Sequence, residues 1–258
     1  MRHRIVNITF FTIAITLALL SLFAYLSWWF LGLALVIWLG IVIVGSAWIG
    51  SNYHVKAHCS NPSETQNKIA ITFDDGPSEF TPKILDLLQK HNATASFFCI
   101  GKNIVAHPDI LLQTFENGHI IGNHSYYHAK NFDWKNKQHV VLELENTDEA
   151  IFSIISKKPK FFRPPYGVTN PAIANAVSQT KHHVIGWNIR SMDGISNDEQ
   201  SIFGRVIKQL RPGAIILMHD TSQASVNVLE RILLTLREKK FEVVPLDELL
   251  ALQAYEKD

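Results

Sequence analysis

The chain has 258 residues, enough for a membrane segment and one globular domain of ordinary size. Its 24 Lys and Arg nearly cancel 23 Asp and Glu, leaving a net charge of +1. No basic stripe marks a nucleic-acid surface and no acidic or low-complexity tail marks disorder, so no nucleic-acid partner is expected. Of the two cysteines, Cys99 sits in the apolar run Ala95–Ile100 and is expected to pack as a small hydrophobe. Cysteine usage does not fix the compartment.

From Ile5 to Ile49 no residue carries a formal charge, a run of 45 residues. One helix of that length would be about 68 Å long, against a hydrocarbon core of ~30 Å. Two spans, about 5–26 and 29–49, account for it, and Trp28-Trp29 suits the interface where a hairpin reverses. A cleaved signal peptide is the competing reading, but its apolar core should be only about 7–15 residues and end in a small-residue site. Arg2 and Arg4 favour a cytoplasmic N-terminus. A hairpin then returns the soluble domain to the cytoplasm, whereas a single span places it outside.

Residues 51–67 are polar and read as a linker, and 68–258 as the soluble domain. After Lys68, strand-like and helix-like patterns alternate. Ile69–Phe73 is a strand ending in Asp74-Asp75-Gly76-Pro77; Thr81–His91 is an amphipathic helix; Ala93–Ile100 is a second strand. A helix over Pro108–Asn117 stops at Gly118, and a short strand from His119 runs into His124-Ser-Tyr-Tyr-His128. Val140–Ser156 is a long helix, and Lys160–Phe162 leads into Arg163-Pro-Pro-Tyr-Gly167. A helix from Asn170-Pro171, a strand His183–Ile189, a helix Glu199–Leu210 and a strand Ala214–Met218 follow. Val226–Lys239, Phe241–Val244 and Leu246–Tyr255 close the domain as helix, strand and helix. About seven βα units predict an α/β fold, a parallel sheet that is open or barrel-like with helices outside.

In such folds chemistry collects at the carboxyl ends of the strands. Asp74-Asp75, His124, Arg163, Asp193 and His219 each follow a strand or an extended run, too ordered for five independent capping turns. His124 and His128, four apart, have the spacing that puts two imidazoles on one face of a helical turn. They are either surface histidines or, with one Asp, a three-ligand catalytic metal site. One carboxylate of the pair then binds the metal and its neighbour takes the proton from the attacking water. Arg163, beside two prolines, either holds a carboxylate ionised or is a simple surface charge. His219 is a general acid or a buried, capping histidine.

Thr72-Phe-Asp-Asp-Gly76, His124-Ser-Tyr-Tyr-His128, Arg163-Pro-Pro-Tyr-Gly167, Asp193 after Trp187, and Leu217-Met-His219 resemble the five ordered motifs of the polysaccharide deacetylases. This is carbohydrate esterase family 4, the NodB homology domain. The resemblance covers about Lys68 to Leu250 and implies a distorted (β/α) barrel of the seven-stranded type, preceded here by two transmembrane helices. It implies Asp74 as general base, and Asp75, His124 and His128 as ligands of a divalent metal. That metal is usually zinc, with cobalt, nickel and manganese as other candidates. Arg163 would orient Asp74, Asp193 would orient the acid–base machinery, and His219 would be the acid. The Tyr166 backbone N–H would help stabilise the oxyanion, and Leu217 and Trp187 would line the substrate pocket. The implied reaction removes an N-acetyl group from an amino sugar of a glycan.

Many family members carry further aspartates and a tryptophan in the fourth motif, where this chain reads Trp187-Asn-Ile-Arg-Ser-Met-Asp-Gly194. Arg190 and Gly194 change charge and bulk beside a retained Asp193, which bears on substrate preference. Three functions follow: a membrane-anchored N-deacetylase on an envelope glycan, an O-acetyl esterase with the same site, or an inactive glycan-binding membrane domain. The expected partners are an N-acetylated glycan and the lipid bilayer; oligomeric state is left open.

Overall fold

A computed structural model describes residues 2–257. Helices α1 (Arg2–Leu22) and α2 (Trp29–Ala47) form an antiparallel hairpin, each long and apolar enough to cross a membrane. Their outer faces are exposed, and their seam is pinned where Phe10 stacks on Trp38 at 4.7 Å and Trp38 Nε1 donates to Asn7 Oδ1. The hairpin is fastened to the domain beneath it. His3 N–H donates to the Tyr53 carbonyl, Thr169 N–H to the Ser46 carbonyl, and Ile49 is buried in a core shared with Phe162 and Val184.

The 51–67 stretch, expected as a linker, is drawn into the domain. Tyr53 and His54 are buried, and β1 (Ala57–His58) forms an edge strand of the sheet. The polar residues that suggested a linker supply the turns: Asn52 Oδ1 accepts from Ala57 N–H, and Asn61 N–H donates to the Gly213 carbonyl.

The rest of the sheet then builds in order. It comprises β2 (Lys68–Asp74), β3 (Ala95–Cys99), β4 (Ile120–Asn123), β5 (Phe161–Phe162), β6 (His183–Ile185), β7 (Ile189–Arg190), β8 (Ile215–His219) and β9 (Glu242–Val243). The helices between are α3 (Thr81–Lys90), α4 (Gly101–Ala106), α5 (Pro108–Glu116), α6 (Lys137–Ile155), α7 (Pro171–Thr180), α8 (Glu199–Gln209), α9 (Gln223–Glu238) and α10 (Leu246–Leu250). Every ladder is parallel, in the order β1-β6-β5-β4-β3-β2-β8-β7, with β9 against β2. The sheet curls into a half-barrel that follows an open path from β1 to β7. β2 lies at its centre, and Ile69, Ile71 and Phe73 are each essentially unexposed. Burial of such a side chain contributes about 1.5–3 kcal/mol, and Phe73 stacks on Phe97 at 5.0 Å in the main core.

Two departures from the expected elements shape the site. The strand expected over 183–189 is two strands, because the chain breaks at Gly186-Trp187-Asn188 and Asn188 bridges to Ile215 through its backbone N–H and side chain. That break turns Trp187 toward the pocket. The terminal helix is also short, because Ala251 adopts a left-handed φ of 52° and ends it. Parallel register does the rest. Asp74 pairs with His219 across β2 and β8, and Asn123 pairs with Phe162, so His124 and Arg163 leave neighbouring strands at the same level.

Candidate active site

The pocket at the carboxyl ends of the strands has a volume of about 170 Å³. Asp74, Asp75, His124, His128, Tyr166, Trp187, Leu217 and His219 all line it, and Arg163 and Asp193 support it from behind. Five non-glycine residues here have left-handed φ: Asp75 (76°), Ser125 (64°), His128 (48°), Tyr166 (60°) and Met192 (68°). Such backbones cost on the order of 1–3 kcal/mol each and persist where the surroundings over-determine them.

The two aspartates share a wall but have different partners. Asp74 is buried at the end of β2, with Oδ1 accepting from Arg163 Nη1 at 2.7 Å. Arg163 is completely buried. It also donates to Thr72 Oγ1 and to the carbonyls of Ile185 and Gly186, and its guanidinium lies 4.1 Å from the Phe98 ring centroid. The Phe98 ring in turn rests on Gly122, where a Cβ would come within 2.7 Å of it. Arg163 is therefore a structural anchor for one carboxylate, not a surface charge.

Asp75, turned by its positive φ, places Oδ1 3.5 Å from both His124 Nε2 and His128 Nε2. Burial opposes its ionisation, but the facing imidazoles of His124, His128 and His219 outweigh burial and hold its carboxyl far below the ordinary range. Asp74 Oδ2 also approaches His124 Nε2, at 3.8 Å, so the two carboxylates converge on one imidazole and do not simply diverge as the strand ends.

The His124–His128 pair is not on a helix. Ser125 and His128 are left-handed, and the loop is tied by Ser125 N–H to Asn123 Oδ1 and His128 N–H to Ser125 Oγ. Glu143 Oε2, from α6, accepts both the Tyr126 and Tyr127 N–H groups at 2.9 Å. The ring centroids end 4.9 Å apart. His124 Nδ1 donates to the Arg163 carbonyl at 2.7 Å, which turns Nε2 to the aspartates.

On the opposite wall, Asp193 accepts from His219 Nδ1 (2.8 Å), His219 N–H (2.9 Å), Ser191 Oγ (2.6 Å) and Ser225 Oγ (2.8 Å). His219 Nε2 is left facing Asp75, at 3.9 Å. Burial works against a charged His219, but Asp193's hydrogen bond and charge, with Asp74 and Asp75 beyond, push it up to about 9. Gly194 lies against this ring: a Cβ there would come within 2.9 Å of it.

The family model described as polysaccharide deacetylase matches residues 61–185. A peptidoglycan-N-acetylglucosamine deacetylase of Bacillus cereus is 33% identical over 190 residues, covering 70% of this chain and 87% of that protein. The chain belongs to the polysaccharide deacetylase family. The peptidoglycan-N-acetylglucosamine deacetylase PgdA of Listeria monocytogenes is 32% identical over 72% of this chain, which spans only 40% of that protein's length. Among solved structures, the Bc1960 peptidoglycan N-acetylglucosamine deacetylase superposes with a TM-score of 0.71 at 34% identity. It covers 77% of this chain and 94% of its own.

Polysaccharide deacetylases depend on a metal, and the donor set here fits one. Asp75 Oδ1 is a buried oxygen without a hydrogen-bond partner, and one donor atom from each of Asp75, His124 and His128 lies within 4.8 Å of the others. Ligands of a tetrahedral zinc sit ~3.4 Å apart at bond lengths of about 2.0–2.1 Å, close to the 3.5 Å found on both sides of Asp75. Burial disfavours charge on His128, with His124 adding to the effect, so it offers a neutral imidazole. Sequence reasoning missed Glu143, Asn123, Ser191 and Ser225. Only their residue types, hydrogen-bonding groups on flanking elements, could have signalled them.

Proposed function

We propose that this polysaccharide deacetylase is membrane-anchored and metal-dependent, and that it hydrolyses the N-acetyl group of an amino sugar in an envelope glycan. Acetate is released and a free amine remains on the sugar. The observation that carries the reading is the division of the aspartate pair, Asp74 locked to a buried guanidinium and Asp75 with its Oδ1 free of hydrogen bonds between two imidazoles. The relatives' names, which specify peptidoglycan N-acetyl groups, support an amide substrate. The hairpin α1–α2 would cross the bilayer twice, so Arg2 and the catalytic domain stand on one side.

Asp75, His124 and His128 would hold a divalent cation, and their imidazole–carboxylate chemistry suits zinc, with cobalt, nickel and manganese also acceptable. Bound there, it would polarise the acetyl carbonyl and lower the pKa of a water. Arg163 holds Asp74 aimed through its 2.7 Å contact, and Asp74 takes a proton from the attacking water. His219, charged at neutral pH and aimed by Asp193, gives its Nε2 proton to the departing amine. The Tyr166 backbone N–H stabilises the developing oxyanion, while Leu217 and Trp187 enclose the acetyl group.

The test pairs Asp74→Asn with His128→Ala, reading bound metal and acetate release on matched N-acetyl and O-acetyl sugars. Asp74→Asn should keep the metal and lose turnover by about 10²-fold or more, whereas His128→Ala should lose both. Equal metal loss in the two variants would mean that the aspartate roles are exchanged. Release from esters alone would replace the deacetylase with an esterase.

A further inference from the structure

Three neighbouring cavities, each sharing lining residues with the next, lie in series from the membrane hairpin to the catalytic pocket. The first is an apolar groove of about 570 Å³ along the hairpin's foot, lined by Val6, Ile37, Ile41 and Val44 and ending at Trp48. Trp48 is also the start of the second, a groove of about 580 Å³ that carries Arg190, Arg205 and Arg211. Trp187, Arg190 and Met192 line both this second groove and the catalytic pocket. Lipid-facing helix surface, a tryptophan, three guanidinium groups and the candidate metal ligands thus follow one another along a single path of neighbouring grooves.

Each part has a physical character of its own. Trp48 follows the last turn of α2 and is 63% exposed, placing an amphipathic ring where the second span leaves the bilayer. Gly50 makes room for it: a Cβ there would come within 2.9 Å of the indole Nε1. Among the described residues none of the three arginines meets a carboxylate. Arg205 donates to the Ser191 carbonyl and Ser201 Oγ, and Arg211 reaches only the Gln209 carbonyl, at 3.4 Å. The Arg190 guanidinium lies 5.8 Å from the Trp187 ring centroid. A groove with three such cations is complementary to a phosphate, which arginine binds through paired N–H donors. The catalytic pocket, at about 170 Å³, has room for one acetamido group and not for a polymer. Because α2 is hydrogen-bonded to the domain through Ser46 and Thr169, the path is fixed in height against the bilayer.

We propose that the substrate is a glycan carried on a phospholipid-type anchor in the same membrane. Its N-acetylated sugar enters the catalytic pocket, its phosphate lies among Arg190, Arg205 and Arg211, and its tail lies along α1 and α2. This rests on the deacetylase reading and names its substrate class.

The test uses the full chain in phosphatidylcholine vesicles and two probes. One is N-acetylglucosamine joined through a phosphodiester to an octadecyl chain; the other is a soluble N-acetylglucosamine oligosaccharide. Arg211→Gln and Arg211→Glu remove a cation that touches only the middle groove. Each should weaken binding of the lipid-phosphate probe and raise its KM, about tenfold for Gln and more for Glu. The KM for the soluble oligosaccharide should be unchanged. Unchanged binding of the lipid-phosphate probe, or equal losses on both probes, overturns the proposal. So does an effect confined to adsorption on phosphatidylglycerol vesicles, which would assign the arginines to bulk lipid. Because binding is read without turnover, failure to release acetate from either probe would sink the deacetylase reading while the binding arm still decides this one.

Discussion

Asp193 grips His219 at two points, one carboxylate oxygen on the ring Nδ1 at 2.8 Å and the other on the backbone N–H at 2.9 Å. Ring and main chain are thus set by one group, itself fixed by Ser191 and Ser225. Asp193→Asn keeps the shape and loses the charge that raises His219. We expect kcat to fall about 10²-fold or more, with metal uptake unchanged, as read by acetate release beside metal analysis. Loss of metal together with activity would show that Asp193 supports the whole rim and not the acid alone.

Arg163 and Asp74 form a buried ion pair, and removing one partner strands the other. Arg163→Leu should cost about 3–5 kcal/mol, and Arg163→Leu with Asp74→Leu should recover a substantial part of it. Urea unfolding of the chain in detergent measures both. A double variant no more stable than the single would place the cost in lost packing on Phe98.

Gly194 touches the ring that Asp193 aims. A methyl group added there would press on His219 at about 2.9 Å and tilt it. Gly194→Ala should lower kcat about tenfold or more, since misplacing a catalytic group by about 1 Å can cost 10²-fold, while leaving KM and bound metal near their starting values. A change in KM alone would instead assign Gly194 to substrate contact.

Asp220 follows His219 and is completely buried. Its Oδ2 accepts from Thr81 Oγ1 at 2.5 Å and its Oδ1 has no hydrogen-bond partner. Burial pushes this carboxyl up to about 7 from 3.8. Between those values the unfolded chain has released the proton and the folded chain still holds it. Its contribution to stability is therefore complete below 3.8 and is lost as pH rises toward 7, at up to about 1.4 kcal/mol per pH unit. Asp220→Asn should flatten that decline relative to the parent chain, measured by thermal midpoints from pH 4 to 8. Parallel profiles for the two would overturn it.

The alternation of strand and helix, and the five strand-end motifs, were legible because central parallel strands are buried on both faces and read as unbroken apolar runs. β2 and β8 are the clearest cases. What escaped were features too short for periodicity or made by distant partners. β1 is two residues in a polar stretch, and its strand character comes from pairing with β6. The break after Ile185 depends on Asn188 reaching Ile215. The histidine pair has the spacing of a helix face, but left-handed Ser125 and His128 assemble it in a loop. Glu143, which holds that loop, lies on another helix and carries no local signature.

Gly122 lies on β4, outside the lining of the pocket. Its missing methyl lets Phe98 lie close, Phe98 sets the plane on which Arg163 rests, and Arg163 aims Asp74. The aim of the Asp74 carboxylate is thus decided three contacts away, by the thickness of one main-chain segment. A side chain of any size at position 122 would displace Asp74 through Phe98 and Arg163 without touching the pocket.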